Sequence, residues 1–229
     1  CQLLKVPCII YVPENSSDAK LINMKNFGAE IVVHGKDCMD GELKAREVAN
    51  NTGGIYLSPY NDLEVVAGQG TIGKEIESQC NGLDSIIVSV GGGGLISGIG
   101  GYLKSIWPDI EVIAASPENH AVMIKSLDAG EIIKISPVPT ISDGTAGGVE
   151  DQSITFDMCK EFVDHRVLLT EQEIEEGILH LIEKERVLVE GAAGTAIAAL
   201  IKMKEHLEGK RVGVIICGRN ISLEVLRKI

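Results

Sequence analysis

Apolar and polar positions alternate between two periods along the 229-residue chain, and the switches between them set out a repeating strand–helix order. Short apolar runs bounded by turn residues predict strands at Cys8–Val12, Glu30–Val33, Ile55–Leu57, Ser85–Val90, Glu111–Ala115, Val167–Leu169 and Arg211–Cys217. Apolar residues at three- and four-residue intervals predict helices at Asp18–Phe27, Asp40–Asn51, Leu63–Ser78, Leu95–Ile106, His120–Ala129, Ser153–Phe162, Glu171–Glu185 and Ala192–His206, followed by a short tail helix. Gly53 with Gly54, and Gly130, stop two of these helices, while Thr170 and Glu173 have the spacing of a capping box. Residues 136–150, rich in Pro, Thr, Asp and Gly, read as a loop too long to be a mere connector. Repeated β–α units imply a mostly parallel sheet with helices on both faces, so the fold class is α/β. A boundary near Asn81–Leu83 divides the chain into a partial small α/β domain over 1–82 and a large one over 83–229.

Composition narrows this picture. Hydrophobic residues make up 45% of the chain and aromatic residues 3%, which suits the Val, Ile, Leu and Ala core of a buried parallel sheet. A net charge of −12 argues against nucleic acid and anionic membranes as partners. No apolar run reaches the length of a membrane span, and no basic-then-apolar leader is present. The six cysteines (1, 8, 38, 80, 159 and 217) lack C-x-x-C spacing, so reduced thiols in a cytoplasmic protein are expected rather than zinc or disulfides. The chain opens on Cys1 in the approach to a strand, and a preceding segment is expected.

Candidate chemistry centres on SVGGGGLISGIGG at 89–101. A buried strand, four glycines and a helix is the order that aims bare main-chain amides and a positive helix end at an anion. The competing reading is a tight turn with close helix–sheet packing. A G-x-G-x-x-G pattern at Gly68–Gly73 does not follow a strand, and the strand after the tetraglycine ends at Ser116 instead of a carboxylate, so a dinucleotide is disfavoured. No Walker lysine follows a glycine loop. Cys217 and Asn220, in CGRN, lie just past a strand end where parallel sheets build sites, and Cys217 alone would also read as a structural cysteine. Glu190 opens a helix of very small residues, where an acid can serve only the helix dipole. Asp143 and Gly144 sit in the long loop, as turn formers or as contacts. The five histidines show no ligand spacing and read as structural or surface groups, as do Thr145, Asp151 and Asp157.

Together GQGTIG at 68–73, VGGGGL at 90–95, SDG at 142–144, VEGAAG at 189–194 and CGRN at 217–220 resemble one family: the threonine dehydratase and serine racemase branch of the fold-type-II pyridoxal-phosphate enzymes. The resemblance covers essentially the whole chain. It implies two α/β domains with the cofactor in the cleft between them, and a homodimer or homotetramer. Gly91, Gly92, Gly93, Gly94 and Leu95 match the loop whose amides hold the cofactor phosphate. Cys217 matches the residue facing the pyridine nitrogen, with Asn220 in the same motif; Glu190 matches the acid beside the ring, and Gly144 the loop closing near it. A thiol there does not keep the ring nitrogen protonated, which favours β-elimination of water from L-threonine or L-serine, giving a 2-oxo acid and ammonia.

Two departures qualify the resemblance. The family's Schiff-base lysine lies in an S-F-K-x-R-G motif, and the S-[SG]-G-N-H loop binds the ring hydroxyl; both belong upstream of Cys1, and none of the fifteen lysines here has that context. No catalytic residue is therefore assigned within this chain. The family's A-E-P-S-N-like metal motif reads Ala115-Ser-Pro-Glu-Asn119, with Ser116 in place of the acid and Val122 at a second acidic position, so no metal is expected there. That lowers a racemase relative to a dehydratase. A racemase of the same fold, a β-replacing synthase (whose loop usually carries Thr among the glycines) and a catalytically incompetent phosphate-binding or oligomerising fragment remain as alternatives.

Overall fold

The computed structural model describes residues 1–136 and 138–229, so Pro137, inside the loop expected over 136–150, lies outside the described residues. The described residues form two compact units, one of 1–58 with 220–228 and one of 59–219 with Ile229.

In the smaller unit β1 (Ile9–Val12) and β2 (Glu30–Val33) pair in parallel, joined by helix α1 (Asp18–Asn26). Helix α2 (Cys38–Thr52) begins with a reciprocal cap between Asp37 and Asp40 and ends at Gly53, whose φ of +74° is the left-handed stop. Gly41 lets α2 approach β1, since a Cβ there would stand 3.3 Å from the Tyr11 carbonyl oxygen. The strand expected at Ile55–Leu57 does not form. Ile55 is 88% exposed and Leu57 69%, and no strand among the described residues pairs with them. Three apolar residues without a neighbouring ladder cannot hold an extended strand. A single helical turn at Leu223–Leu226 is capped by the Ser222 hydroxyl.

The larger unit runs α3 (Leu63–Gln79), β3 (Ser85–Ser89), α4 (Gly94–Ile106), β4 (Glu111–Pro117), α5 (Val122–Ala129), α6 (Ile154–Phe162), β5 (His165–Leu169), α7 (Glu171–Glu185), α8 (Gly191–Lys202), α9 (Lys204–Leu207) and β6 (Val212–Val214). Its four strands are all parallel, in the order β5-β4-β3-β6. The helix expected over Ala192–His206 is interrupted only at Met203, whose amide still donates to the Ala199 carbonyl. β6 is shorter than the expected Arg211–Cys217, because its ladder to β3 ends where the Ile215 amide meets the Ile87 carbonyl. The Thr170–Glu173 capping box forms as the sequence predicts.

β3 is buried on both faces, which is why it reads as an unbroken apolar run. Ile86, Val88, Val112 and Ala114 join Ile99 and Leu103 of α4 in one core cluster. On the opposite face the Ser89 hydroxyl donates to the Ala192 carbonyl at 2.6 Å, fixing α8 against β3. Helix α3, expected on the small-domain side of a boundary near residue 82, instead packs on α4 inside the larger unit. Gly98 of α4 makes this possible, since a Cβ on it would lie 2.3 Å from the Val66 carbonyl and 2.6 Å from the Gly70 amide. The glycines of GQGTIG thus sit inside a helix, where Gly70 and Gly73 face α4.

At the end of the sheet where the strands begin, Glu111 accepts hydrogen bonds from Lys210 at 2.8 Å and from the Ser85 hydroxyl at 3.1 Å. The Lys210 ammonium is the main cause of a Glu111 carboxyl held down at about 2, against an ordinary 4.5, with His206 and Ser85 adding to it. A carboxyl depressed in the folded state stabilises the fold above its unfolded value, and this contribution fades as pH falls from about 4.5 toward 2. Denaturant titrations across that window are expected to show a flatter acid limb for Glu111→Gln than for the parent chain.

Candidate active site

Strand β3 delivers the chain directly into the four glycines, and β6 beside it delivers Cys217 to the same end of the sheet. The register Ile87 to Val214 sets Val90 and Cys217 at equal distances beyond the pairing. Gly91 and Gly92 form the turn, and Gly93, at φ +89°, is the left-handed N-cap of α4. The three longest helices carry a side-chain cap, from Asp37, Asp62 and Thr170, whereas α4 and α8 have none.

The two sides of this loop are treated differently by the rest of the protein. The carbonyls of Val90, Gly92 and Gly93 are occupied. Ser116 Oγ donates to the Val90 carbonyl at 2.6 Å, Thr155 Oγ1 to the Gly92 carbonyl at 2.6 Å, and the Ser97 amide to the Gly93 carbonyl at 3.0 Å. Among the described residues the amides of 91–96 donate to no protein acceptor, and Ser97 is the first of the helix to do so. Buried or half-buried amides ordinarily find partners. A fan of such donors at the positive end of a 13-residue helix has the donor chemistry of an anion site.

The glycines are also required by packing. A Cβ at Gly91 would lie 2.8 Å from the Thr145 carbonyl oxygen, and one at Gly92 would lie 2.4 Å from the Tyr60 ring. At Gly93 it would meet Cys159 Sγ at 3.0 Å, and at Gly94 the Tyr60 Cα at 3.0 Å. The packing reading of the loop therefore holds, and the same packing leaves its amides as donors. Burial pushes the Cys159 thiol up to about 11, so it adds no negative charge behind the loop.

The remaining candidates fall around this frame. Glu190 is buried as the N-cap of α8; its amide donates to the Gly218 carbonyl at 3.2 Å, and a Cβ on Gly218 would strike its carboxylate at 2.4 Å. Glu190 is thus held against the residue that follows Cys217. Gly144 is exposed within a single helical turn at Asp143–Thr145, and Thr145 of that turn backs Gly91. The turn is anchored by the buried Ser142 hydroxyl, shared with Thr145 at 2.7 Å and Thr195 at 3.2 Å. Leu95 and Cys217 line one open cavity of about 630 Å³, together with Gln69, Ile72 and Ile216. Asn220 is exposed and belongs to the smaller unit.

Sequence reasoning missed Tyr60, Thr155 and the supporting role of Ser116. Tyr60 lies in an ordinary-looking turn and Thr155 opens an ordinary helix; only tertiary contact reveals them. Ser116 is fully buried and committed to the Val90 carbonyl, so the position after β4 offers a neutral donor already in use. Among the described residues no helix is long and apolar enough to cross a membrane.

Comparison with known proteins matches residues 1–218 to the family described as pyridoxal-phosphate dependent enzyme. An L-threonine ammonia-lyase of Thermotoga maritima is 35% identical over the whole chain, which spans 56% of that relative's length. A catabolic L-threonine dehydratase of Escherichia coli is 36% identical over the whole chain and 70% of its own length. The crystal structure of a serine racemase from Dictyostelium discoideum superposes with a TM-score of 0.84 at 34% identity, over 97% of this chain and 71% of that one.

Proposed function

The chain belongs to the pyridoxal-phosphate-dependent enzyme family, and from that premise we propose that it forms the phosphate-holding part of a hydroxy-amino-acid ammonia-lyase. Its α/β fold with mostly parallel sheets is that of the fold-type-II enzymes. The proposed substrate is L-threonine or L-serine, and the products are a 2-oxo acid and ammonia, the water lost in the elimination being taken up again when the released enamine hydrolyses. The observation that carries this reading is the polarised glycine loop, with the carbonyls of Val90, Gly92 and Gly93 engaged and, among the described residues, no amide of 91–96 engaged by protein.

When bound, pyridoxal phosphate supplies the electron sink that makes the Cα–H bond of an amino acid acidic. The amides of Gly91–Leu95 would hold its phosphate, each charge-assisted bond contributing about 1.5–3 kcal/mol. Cys217 would face the ring nitrogen, with Asn220 in the same motif; a thiol there, unlike a carboxylate, does not keep that nitrogen protonated. Glu190, fixed against Gly218, would flank the ring, and the Gly144 turn would cover it. A homodimer or homotetramer in the cytoplasm goes with this reading, and the Schiff-base lysine would come from outside the present sequence. The serine racemase reading is weakened by Ser116, which supports the loop as a buried hydroxyl where that branch carries an acidic metal ligand.

Thiol labelling tests the assignment on this chain. At about pH 8 iodoacetamide is expected to modify exposed Cys217 while buried Cys159 stays unmodified. Pyridoxal phosphate should slow labelling of Cys217, and pyridoxal, which lacks the phosphate, should not. Equal protection by both compounds, or by neither, would remove the phosphate loop from the account. In the polypeptide that contains this chain, L-threonine should yield 2-oxo acid and ammonia; D-serine formed from L-serine without 2-oxo acid would instead favour the racemase.

A further inference from the structure

At the end of the sheet where the strands begin, opposite the glycine loop, the fold gathers two histidines and a carboxylate that are far apart in sequence. Glu111 is the first residue of β4 and His165 the first of β5. The β4–β5 register pairs Ile113 with His165, so Glu111, two residues earlier, presents its side chain on the same face. Helix α9 lies beyond α8 and supplies His206. His206 Nε2 stands 2.9 Å from Glu111 Oε2, and His165 Nε2 stands 3.9 Å from that same oxygen. One donor atom from each of the three lies within 4.8 Å of the others, and the two imidazoles meet edge to face at 4.7 Å.

A cation already sits among these donors. Lys210 Nζ is 2.9 and 2.8 Å from the two Glu111 oxygens and 3.1 Å from His206 Nε2. His206 Nε2 lies within hydrogen-bond distance of both Glu111 Oε2 and Lys210 Nζ. It donates to the carboxylate in one tautomer and accepts from the ammonium in the other, and the second is the form in which imidazole ligates a metal. The Ser85 hydroxyl donates to Glu111 Oε2 at 3.1 Å and orients the carboxylate from outside, as metal sites require of their supporting groups. Lys210 itself is a flexible side chain placed just after Gly209, whose φ of +77° makes the turn into β6. It can leave the donors without moving the sheet.

We propose that Glu111, His165 and His206 form a binding site for a borderline divalent transition ion of the Zn²⁺ class, with the ion displacing the Lys210 ammonium. Two imidazoles and one carboxylate suit such an ion and not Mg²⁺ or Ca²⁺, which favour all-oxygen sets. Tetrahedral ligands at about 2.0–2.2 Å from an ion stand roughly 3.3–3.6 Å apart, within the present spread of donors. The length of β3 separates this site from the glycine loop, so the ion would fasten α9 and the entry to β6 onto the sheet and take no part in reaction chemistry.

Titration of the purified chain with Co²⁺, followed by visible absorption, and with Zn²⁺, followed by calorimetry, tests the proposal. One saturable equivalent is expected, with nitrogen and oxygen ligation and no thiolate charge-transfer band. His165→Asn, His206→Asn and Glu111→Gln should each weaken binding about tenfold or more. Lys210→Met, which removes the competing ammonium, should tighten it, and Zn²⁺ should raise the Tm of the parent chain more than that of His206→Asn. Binding indifferent to both histidine substitutions, a thiolate band from the six cysteines, or no saturable equivalent in chains that circular dichroism shows to be folded would overturn the site.

Discussion

Gly91→Ala is expected to weaken pyridoxal phosphate binding about tenfold or more while the chain stays folded. The added methyl would lie 2.8 Å from the Thr145 carbonyl oxygen, a main-chain atom tied into the anchored turn at 143–145, so the loop must shift instead. A shift of a few tenths of an ångström takes the Gly91 amide off a phosphate oxygen. Losing one charge-assisted bond of about 1.5–3 kcal/mol corresponds to roughly ten- to a hundredfold in affinity. Gly68→Ala is the matched control. Gly68 lies within α3 with nothing inside 4 Å of its added methyl, so binding should be unchanged and stability higher by about 0.5–1 kcal/mol. Calorimetric titration of both variants separates the two cases. Undiminished affinity in Gly91→Ala would mean that the loop is a packing turn alone.

The largest loss of stability is expected from Gly98→Leu. The Cβ position of Gly98 stands 2.3 Å from the Val66 carbonyl, and backbone atoms on the facing helix cannot rotate away. α3 and α4 would have to separate, opening the cluster that includes Ile99, Leu103 and Ile86. Overpacking of this kind costs about 3 kcal/mol, which for a domain of this size lowers Tm by roughly 6–12 °C. Thermal unfolding followed by circular dichroism gives the number directly. A change of less than about 1 kcal/mol would show that the two helices are not packed through these glycines.

These two substitutions also mark where the sequence can and cannot be read. The alternation of strand and helix, the buried β3 run and the Thr170 cap follow from local periodicity and side-chain chemistry, and they form as expected. So does the placement of the tetraglycine between β3 and α4. Composition does not mark the division near residue 82 sharply, and it says nothing of the Gly70–Gly98 contact that ties α3 to α4. A G-x-G-x-x-G pattern likewise has one meaning in a loop and another inside a helix, and the helix expected over Leu63–Ser78, with no strand before it, already pointed to the second. Ile55–Leu57 has strand composition but no ladder to join. Tyr60, Thr155 and the Glu111, His165 and His206 cluster depend on which elements the topology makes neighbours, a property that no spacing along the chain carries.

An amide-resolved NMR titration of the chain with pyridoxal phosphate, inorganic phosphate and pyridoxal tests the central claim most directly. The main-chain amides of Gly91–Leu95 should move downfield with both phosphate-bearing compounds and stay in place with pyridoxal. If those five amides hold their positions while shifts arise elsewhere, the glycine loop does not grip the phosphate and the proposed enzymatic role loses its basis.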